Sequence, residues 1–589
     1  MKKLITGLLI QCFFLLDFAM GENPPNVIVI LTDDQGWGDL SVNGNSLVHT
    51  PTIDHLAEEG VTLNQFYVSP LCAPTRASLL TGKYHLKVGT RWVSNGLENF
   101  HPNAFTLGDM FQQAGYATGC FGKWHNGAHW PNHPNAKGFD EFVGFCAGHI
   151  GEYNSPTLEK NGQEYQTKGY ITDVLTDEAI DFIKRNKENQ FFCFLPYNVP
   201  HSPFVVPDEY YDKTYARLTH MEGKKERNKD ACVYAMMENL DDNLNRLFRE
   251  LEDNNLANNT IIIYMSDNGP NGVRYNGDLR GKKNSVYEGG VRVPFYIKWP
   301  EKIGGGQVVN QPTAHIDVLP TLATLCNIPV SEDLNIDGVD LSGLIIGKSK
   351  YLPERNIYVQ NSRKQLMPYK GGFRNNQYRI GFHDKNRIEL YDIIADPEQI
   401  DDLSKEKPEI FEAMVRDYMD WFNEAKRAYI PADVISIGYE QWPLVVLNAH
   451  ESKFSGHPRF YGENGFAHDW ITNWTSTSDS IYWEVDVVQD VSYNVDIKYT
   501  CTKASVGSEI KVASGKTFAI NSIRKEFDPP QIDSGERYPR LGVNEKSWAS
   551  LKLGKINLKK GKQRIVLTAP KVNGNEVAEV KAIVLKNIK

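Results

Sequence analysis

Two apolar, β-branched runs, more than two hundred residues apart, end in the same abrupt way. Residues 26–31 read Asn-Val-Ile-Val-Ile-Leu and pass directly into Thr32-Asp33-Asp34-Gln35-Gly36. Residues 260–265 read Thr-Ile-Ile-Ile-Tyr-Met and pass into Ser266-Asp267-Asn268-Gly269. Strands with almost no polar position leave no face for water, so both runs predict strands covered on two sides, as in a parallel sheet. Their polar residues then fall at the carboxyl rim, where strand ends remote in sequence meet and ligands bind.

The rest of the first 370 residues suits that sheet. Helical spacing or capping predicts helices at 50–60, 105–114, 170–185, 232–251 and 316–325, with buried strands at 191–195 and 293–298. Helices alternating with buried strands predict an α/β unit over 22–370, a mostly parallel central sheet flanked by helices. From 371 to 440, strand-like segments at 378–382 and 388–392 precede an amphipathic helix at 408–426, which predicts a small antiparallel annex. From 445 to 589, segments 481–487, 492–499, 509–512 and 563–567 alternate at period two with no long helix between them, the pattern of a β-sandwich.

The opening Met1-Lys2-Lys3, the apolar run to Met20, and Ala19 and Gly21 before a cut read as a signal peptide over 1–21. The mature chain is therefore expected to be exported, to the periplasm or outside the cell, without stable membrane insertion. Seven cysteines follow residue 21, an odd number, so at least one has no partner within the chain. Lys+Arg 64 against Asp+Glu 73 gives a net charge of −9, with no global basic footprint for a nucleic acid.

Three carboxylates and an amide at the rim, Asp33, Asp34, Asp267 and Asn268, form a hard oxygen set suited to Ca²⁺ or Mg²⁺ rather than zinc. Asp-Asp and Asp-Asn also serve as turn residues, but here each pair directly follows an apolar strand. Lys123, His125, His201 and Lys283 lie in Gly122-Lys123-Trp124-His125, Pro200-His201-Ser202-Pro203 and Gly281-Lys282-Lys283-Asn284. With Arg76 they supply enough positive charge to hold a compact oxyanion. Pro74 suits the first turn of a helix running to about residue 80, which sets Cys72 beside its N-terminus.

Cys72-Ala73-Pro74-Thr75-Arg76, continued by Leu80-Thr81-Gly82-Lys83, resembles the maturation motif of the formylglycine-dependent sulfatases, in the alkaline-phosphatase-like superfamily. The resemblance covers about residues 24–430, including Glu389-Leu390-Tyr391-Asp392, and leaves the tail outside. It implies that a formylglycine-generating maturation enzyme converts Cys72 to formylglycine, whose hydrate attacks sulfur and then expels sulfate through its second hydroxyl. It implies that Asp33, Asp34, Asp267 and Asn268, with the converted Cys72, hold one metal ion, usually calcium. Arg76 would orient the hydrate, and Lys123 and Lys283 would grip sulfate oxygens. His125 would help collapse the sulfated intermediate, and His201 would protonate the leaving alcohol. Where many relatives place a small hydroxyl residue near the metal, this chain has Phe145-Cys146-Ala147-Gly148-His149, and His149 is open to a substrate or a structural role.

The expected activity is hydrolysis of sulfate monoesters on a sulfated carbohydrate. The rivals are a phosphomonoester or phosphodiester hydrolase on the same scaffold, which would normally need a hydroxyl nucleophile, and a non-catalytic glycan-binding protein. In the tail, Trp442, Trp470, Trp474, Trp483 and Trp548 admit two readings: core and interdomain packing, or sugar stacking in an independent carbohydrate module. The sugar, the sulfated position and the oligomeric state have no signal in the sequence.

Overall fold

The computed structural model describes residues 23–588 apart from 220, 364, 433, 463, 464 and 541; the export segment expected at 1–21 lies outside them. Its centre is a ten-stranded sheet. In chain order the strands are β1 (Asn26–Thr32), β2 (Val61–Leu63), β3 (Ala117–Lys123), β4 (Glu141–Phe145), β5 (Thr157–Lys160), β6 (Gln163–Gln166), β7 (Phe191–Pro196), β8 (Thr260–Ser266), β9 (Phe295–Lys298) and β10 (Gln307–Val309). Their spatial order is β10-β2-β9-β8-β1-β7-β3-β4-β5-β6. The five central strands, β8 to β4, run parallel. Antiparallel pairing begins at β9 on one side and β5 on the other.

Both faces of the centre are covered, as the runs in β1 and β8 require. Ile28 and Ile30 of β1 pack with helices α1 (Pro51–Glu59), α4 (Ile171–Asn186) and α5 (Lys224–Asp253); Val27, Val29 and Leu31 pack on the other face with α2 (Cys72–Thr81), α3 (Leu107–Gln113) and α6 (Val318–Leu325). Helix α5 starts eight residues before the expected 232, because its first two turns, Lys-Lys-Glu-Arg-Asn-Lys-Asp, carry no apolar stripe to read. Among the described residues no helix is long and apolar enough to cross a membrane.

The annex is an antiparallel four-stranded sheet, β11 (Ile357–Gln360), β12 (Gly371–Arg374), β13 (Tyr378–Asp384) and β14 (Arg387–Asp392), covered by α7 (Pro408–Ala428). Its first strand precedes residue 371. The tail forms two six-stranded sheets whose inner faces share one core. Trp474 and Trp483 are buried in that core, and Trp470 is buried between Tyr461 and Trp548. Trp442 stacks on Trp130 of the α/β unit at 5.9 Å, so it packs between the two units. The seven cysteines from Cys72 to Cys501 are all buried and unpaired.

Candidate active site

Strand β1 delivers Asp33 and Asp34 to the rim and adjacent β8 delivers Asp267 and Asn268; all four are completely buried. Asp34 turns the chain with a φ of +65°, a left-handed conformation that aspartate tolerates better than most residues. Its N–H donates to Asp267 Oδ1 at 3.2 Å, and Asn268 Nδ2 donates to Asp34 Oδ1 at 2.8 Å. The two strand ends are thus bonded to each other as well as lying side by side.

Cys72 is the first residue of α2, whose ten residues are all buried. Pro74 stands in the first turn, where no backbone N–H is needed. Asn126 Nδ2 donates to Ala73 O at 3.1 Å and fixes that end of the helix. One turn on, Arg76 donates to Asp267 Oδ2 through Nε at 3.0 Å and Nη2 at 2.8 Å, and through Nη1 to Lys123 O at 2.7 Å. Arg76 therefore joins α2 to the ends of β8 and β3.

Lys123 ends β3 and donates to Asp33 Oδ2 at 2.6 Å. Sequence reading places this lysine in a motif but not on a strand, because Ala-Thr-Gly-Cys-Phe-Gly-Lys has few strand-forming residues. Lys283 reaches Asp34 Oδ1 at 2.5 Å from a loop pinned twice: Lys283 N donates to Pro270 O, and Asn284 N to Pro70 O just before Cys72. The annex braces that loop, with Arg379 Nε donating to Val286 O and Gln399 Oε1 accepting from Glu288 N.

The histidines have distinct tautomers. His125 Nε2 meets Val93 O at 2.9 Å and must carry its proton there; Nδ1 is then an acceptor, buried and without a partner. Burial, Lys123 and Arg76 hold that ring far below the usual imidazole range, against a smaller opposing effect of Val93 O. His201 Nδ1 meets Ser202 O at 2.6 Å, which leaves Nε2 3.7 Å from Asp34 Oδ2. Burial pushes His201 down to about 3, with Asp34 opposing and Lys283 and Lys123 adding to the fall.

All residues expected at the site therefore converge. Asp33, Cys72 and Asp267 offer ligand atoms within 4.8 Å of one another, and Asp33 Oδ1, Asp34 Oδ2 and Asn268 Oδ1 are buried without hydrogen-bond partners. Burial, together with Asp33, raises Asp267 despite Arg76 beside it. Orphaned oxygens and crowded carboxylates are what a hard divalent cation satisfies, so the donor set fits calcium chemistry. Burial also raises the Cys72 thiol, with Lys123 and Lys283 pulling the other way, so an unmodified cysteine here stays protonated and is a poor nucleophile.

Two residues without a sequence signal belong to the same rim. Asn198, just past β7, is buried with both amide atoms unpartnered, and its carbonyl accepts from His201 N. Tyr153 Oη donates to His201 O at 3.0 Å and holds that loop. Neither lies in a charged pair at a strand end or in one of the motif segments that marked the other residues.

The sulfatase family model matches residues 25–328, and the model of the N-sulphoglucosamine sulphohydrolase C-terminal region matches 281–422. The chain is 31% identical over 359 residues to N-acetylgalactosamine-6-sulfatase of Mus musculus, spanning 55% of this chain and 66% of that protein. It is 27% identical over 494 residues to the uncharacterized sulfatase YdeN of Escherichia coli K12, spanning 68% of this chain and 86% of that protein. The crystal structure of Ps i-CgsB in complex with k-i-k-neocarrahexaose superposes with a TM-score of 0.63 at 30% identity, over 70% of this chain and 95% of that one. With the family model spanning more than half its length and every motif residue gathered at one rim, the chain belongs to the sulfatase family of sulfuric ester hydrolases.

Proposed function

We propose that this protein is an exported sulfatase that removes sulfate from a sulfated carbohydrate, using formylglycine at position 72 and one Ca²⁺. The observation that carries this reading is Cys72 itself. It is a buried side chain at a helix N-terminus, among two lysines, an arginine and carboxylates with unsatisfied oxygens. Asp33, Asp34, Asp267, Asn268 and the converted side chain would hold the ion. When present, the ion supplies positive charge against the ester oxygens, and the hydrated aldehyde supplies an oxygen nucleophile with a second hydroxyl for expelling sulfate.

The chain's own side chains do the rest. Lys123 and Lys283 neutralise the non-bridging ester oxygens as charge builds there. Arg76 fixes the start of α2 and so the direction in which residue 72 points. His125 Nδ1, an acceptor without a protein partner, takes a proton from residue 72. His201 Nε2 gives a proton to the departing oxygen; the negative charge of a bound ester favours the imidazolium that this step requires. The carbohydrate class rests on the named sugar of the mouse relative and the oligosaccharide in the superposed crystal structure.

The test is matured enzyme offered a panel of sulfated mono- and disaccharides, with released sulfate counted and the Cys72 peptide weighed. Active enzyme should carry CHO in place of CH₂SH. An unmodified thiol throughout a fully active sample would falsify the mechanism. Chelation should remove activity, and Ca²⁺ should restore it better than Zn²⁺.

A further inference from the structure

Three imidazoles neighbour one another next to Asp34, whose Oδ2 lies 3.7 Å from His201 Nε2. The His149 ring lies 6.1 Å from that of His201, nearly parallel at 20°, and 5.8 Å from that of His468. His201 and His149 belong to the α/β unit. His468 does not: it comes from the β-sandwich, beyond residue 422, where the matches to sulfatase models end.

The position of His468 is built. Its φ of +66° is rare for a residue other than glycine and needs neighbours to hold it. Lys581 Nζ donates to its carbonyl at 2.7 Å, and Glu545 Oε2 lies 3.3 Å from Nδ1. Glu545 in turn packs on Gly151, two residues after His149, where an added Cβ would sit 3.5 Å from Glu545 Cβ. Arg540 Nη1 donates to Gly151 O at 2.7 Å. Arg540 and Glu545 of the sandwich are therefore fastened to Gly151, two residues from His149.

His468 Nδ1 is turned to Glu545, and its Nε2 is buried without a partner. Neither ring nitrogen of His149 has a hydrogen-bond partner among the described residues. Burial, with His468 and His201 behind it, keeps His149 neutral, so it offers one donor and one acceptor. That is the complement of a hydroxyl group, and the ring lies beside that of His201, the residue assigned to the leaving oxygen.

We infer that His149 and His468 bind hydroxyl groups of the leaving sugar, so that the C-terminal sandwich forms one wall of the substrate pocket through His468. This rests on the carbohydrate sulfatase reading above. Both residues are positioning residues; neither touches sulfur.

The experiment uses full-length enzyme with formylglycine verified by mass. It compares unmutated protein, His468→Asn, which tolerates the positive φ, and His149→Ala. Substrates are sulfated monosaccharides covering each ring hydroxyl, N-acetylgalactosamine 6-sulfate among them, and 4-nitrophenyl sulfate, which has no sugar hydroxyl. The ratio of kcat/KM for the best saccharide to that for the aryl ester should fall about tenfold in each variant, mostly through KM, as expected for one lost neutral hydrogen bond at its upper range. An equal fall on both substrates, or no fall on either, overturns the subsite. Wild-type enzyme active on the aryl ester and on no saccharide overturns the subsite but leaves sulfatase chemistry standing. Enzyme inactive on every ester overturns both.

Discussion

At the rim of the parallel sheet, Asp33, Asp34, Asp267, Arg76 and Lys123 are all shut away from solvent. In the C-terminal sandwich the completely buried large side chains include Trp470, Trp474 and Trp483. Both regions are dense, but they bury opposite things. Burying a charge is costly even when it is paired, so the rim holds functional groups at the expense of stability. Burying indole is favourable, so the sandwich core contributes stability and no chemistry. A substitution should therefore move activity at the rim and stability in the sandwich core.

Cys72→Ala gives the sharpest contrast. It should abolish sulfate release from every ester while changing unfolding free energy by no more than about 1 kcal/mol, the scale of a modest change at one buried side chain. Circular dichroism melts and sulfate assays on the same preparation check this. Loss of fold together with activity would break the distinction between the regions.

Within the rim, acid and clamp should separate. His201→Ala should slow esters of sugar alcohols by about 10²- to 10⁴-fold and aryl sulfates far less, because an acidic phenol leaves without a proton. Lys283→Ala should weaken both classes alike. The measurement is kcat/KM across esters whose leaving-group pKa spans several units, with bond cleavage shown to limit the rate. A slope in His201→Ala no steeper than in unmutated enzyme would remove the acid role.

Trp483→Ala is the counterpart in the sandwich. Trp483 is buried in the shared core and its Nε1 donates to Asn448 O at 2.8 Å. Truncation should destabilise the sandwich by about 3–5 kcal/mol while aryl sulfate turnover below the melt is retained. Chemical unfolding followed by tryptophan emission, beside an activity assay, reads both.

The smallest effect joins the regions. Glu451 of the sandwich accepts from or donates to His129 Nε2 at 2.7 Å according to protonation. Burial opposes the charge on Glu451, yet His129 holds its carboxyl down at about 2, below the ordinary 4.5. That contribution is present above about pH 4.5 and lost as pH falls towards 2. Burial likewise opposes the charge on His129, but Glu451 raises it above 6.5, so its contribution is present below 6.5 and lost as pH rises through the shifted value. The melting temperature of unmutated protein should exceed that of Glu451→Gln most between about pH 4.5 and 6.5. A constant difference across pH would show that charge plays no part.

The rim's metal-type donors were legible from a local cue, a β-branched run that stops at Asp33-Asp34 or Asp267-Asn268, and its cysteine, arginine, lysines and histidines through motifs that resemble those of the sulfatases. The parallel centre, the annex and the sandwich were legible through periodicity of the same local kind. What escaped was contact between distant segments. Nothing near residue 149 signals that His468, Arg540 and Glu545 fold against this stretch, since such contacts depend on how two finished units dock. Strand β3 escaped for a different reason: its glycines and small residues satisfy close packing between strands, and close packing leaves no hydrophobic pattern. At Gly122 an added Cβ would lie 2.0 Å from Pro196 O.

The attachments between sandwich and sheet have a mechanical consequence. Besides the His129–Glu451 pair and the Trp130–Trp442 stack, Arg537 binds Asp208 and Val206 O, Arg540 binds Gly151 O, and Lys498 lies 3.6 Å from Glu164. Two bodies joined at one place can swing about it as a hinge. Two bodies fastened at several separated stretches of chain have no free axis, because turning about any one strains the others. The sandwich is therefore held in one orientation against the α/β unit.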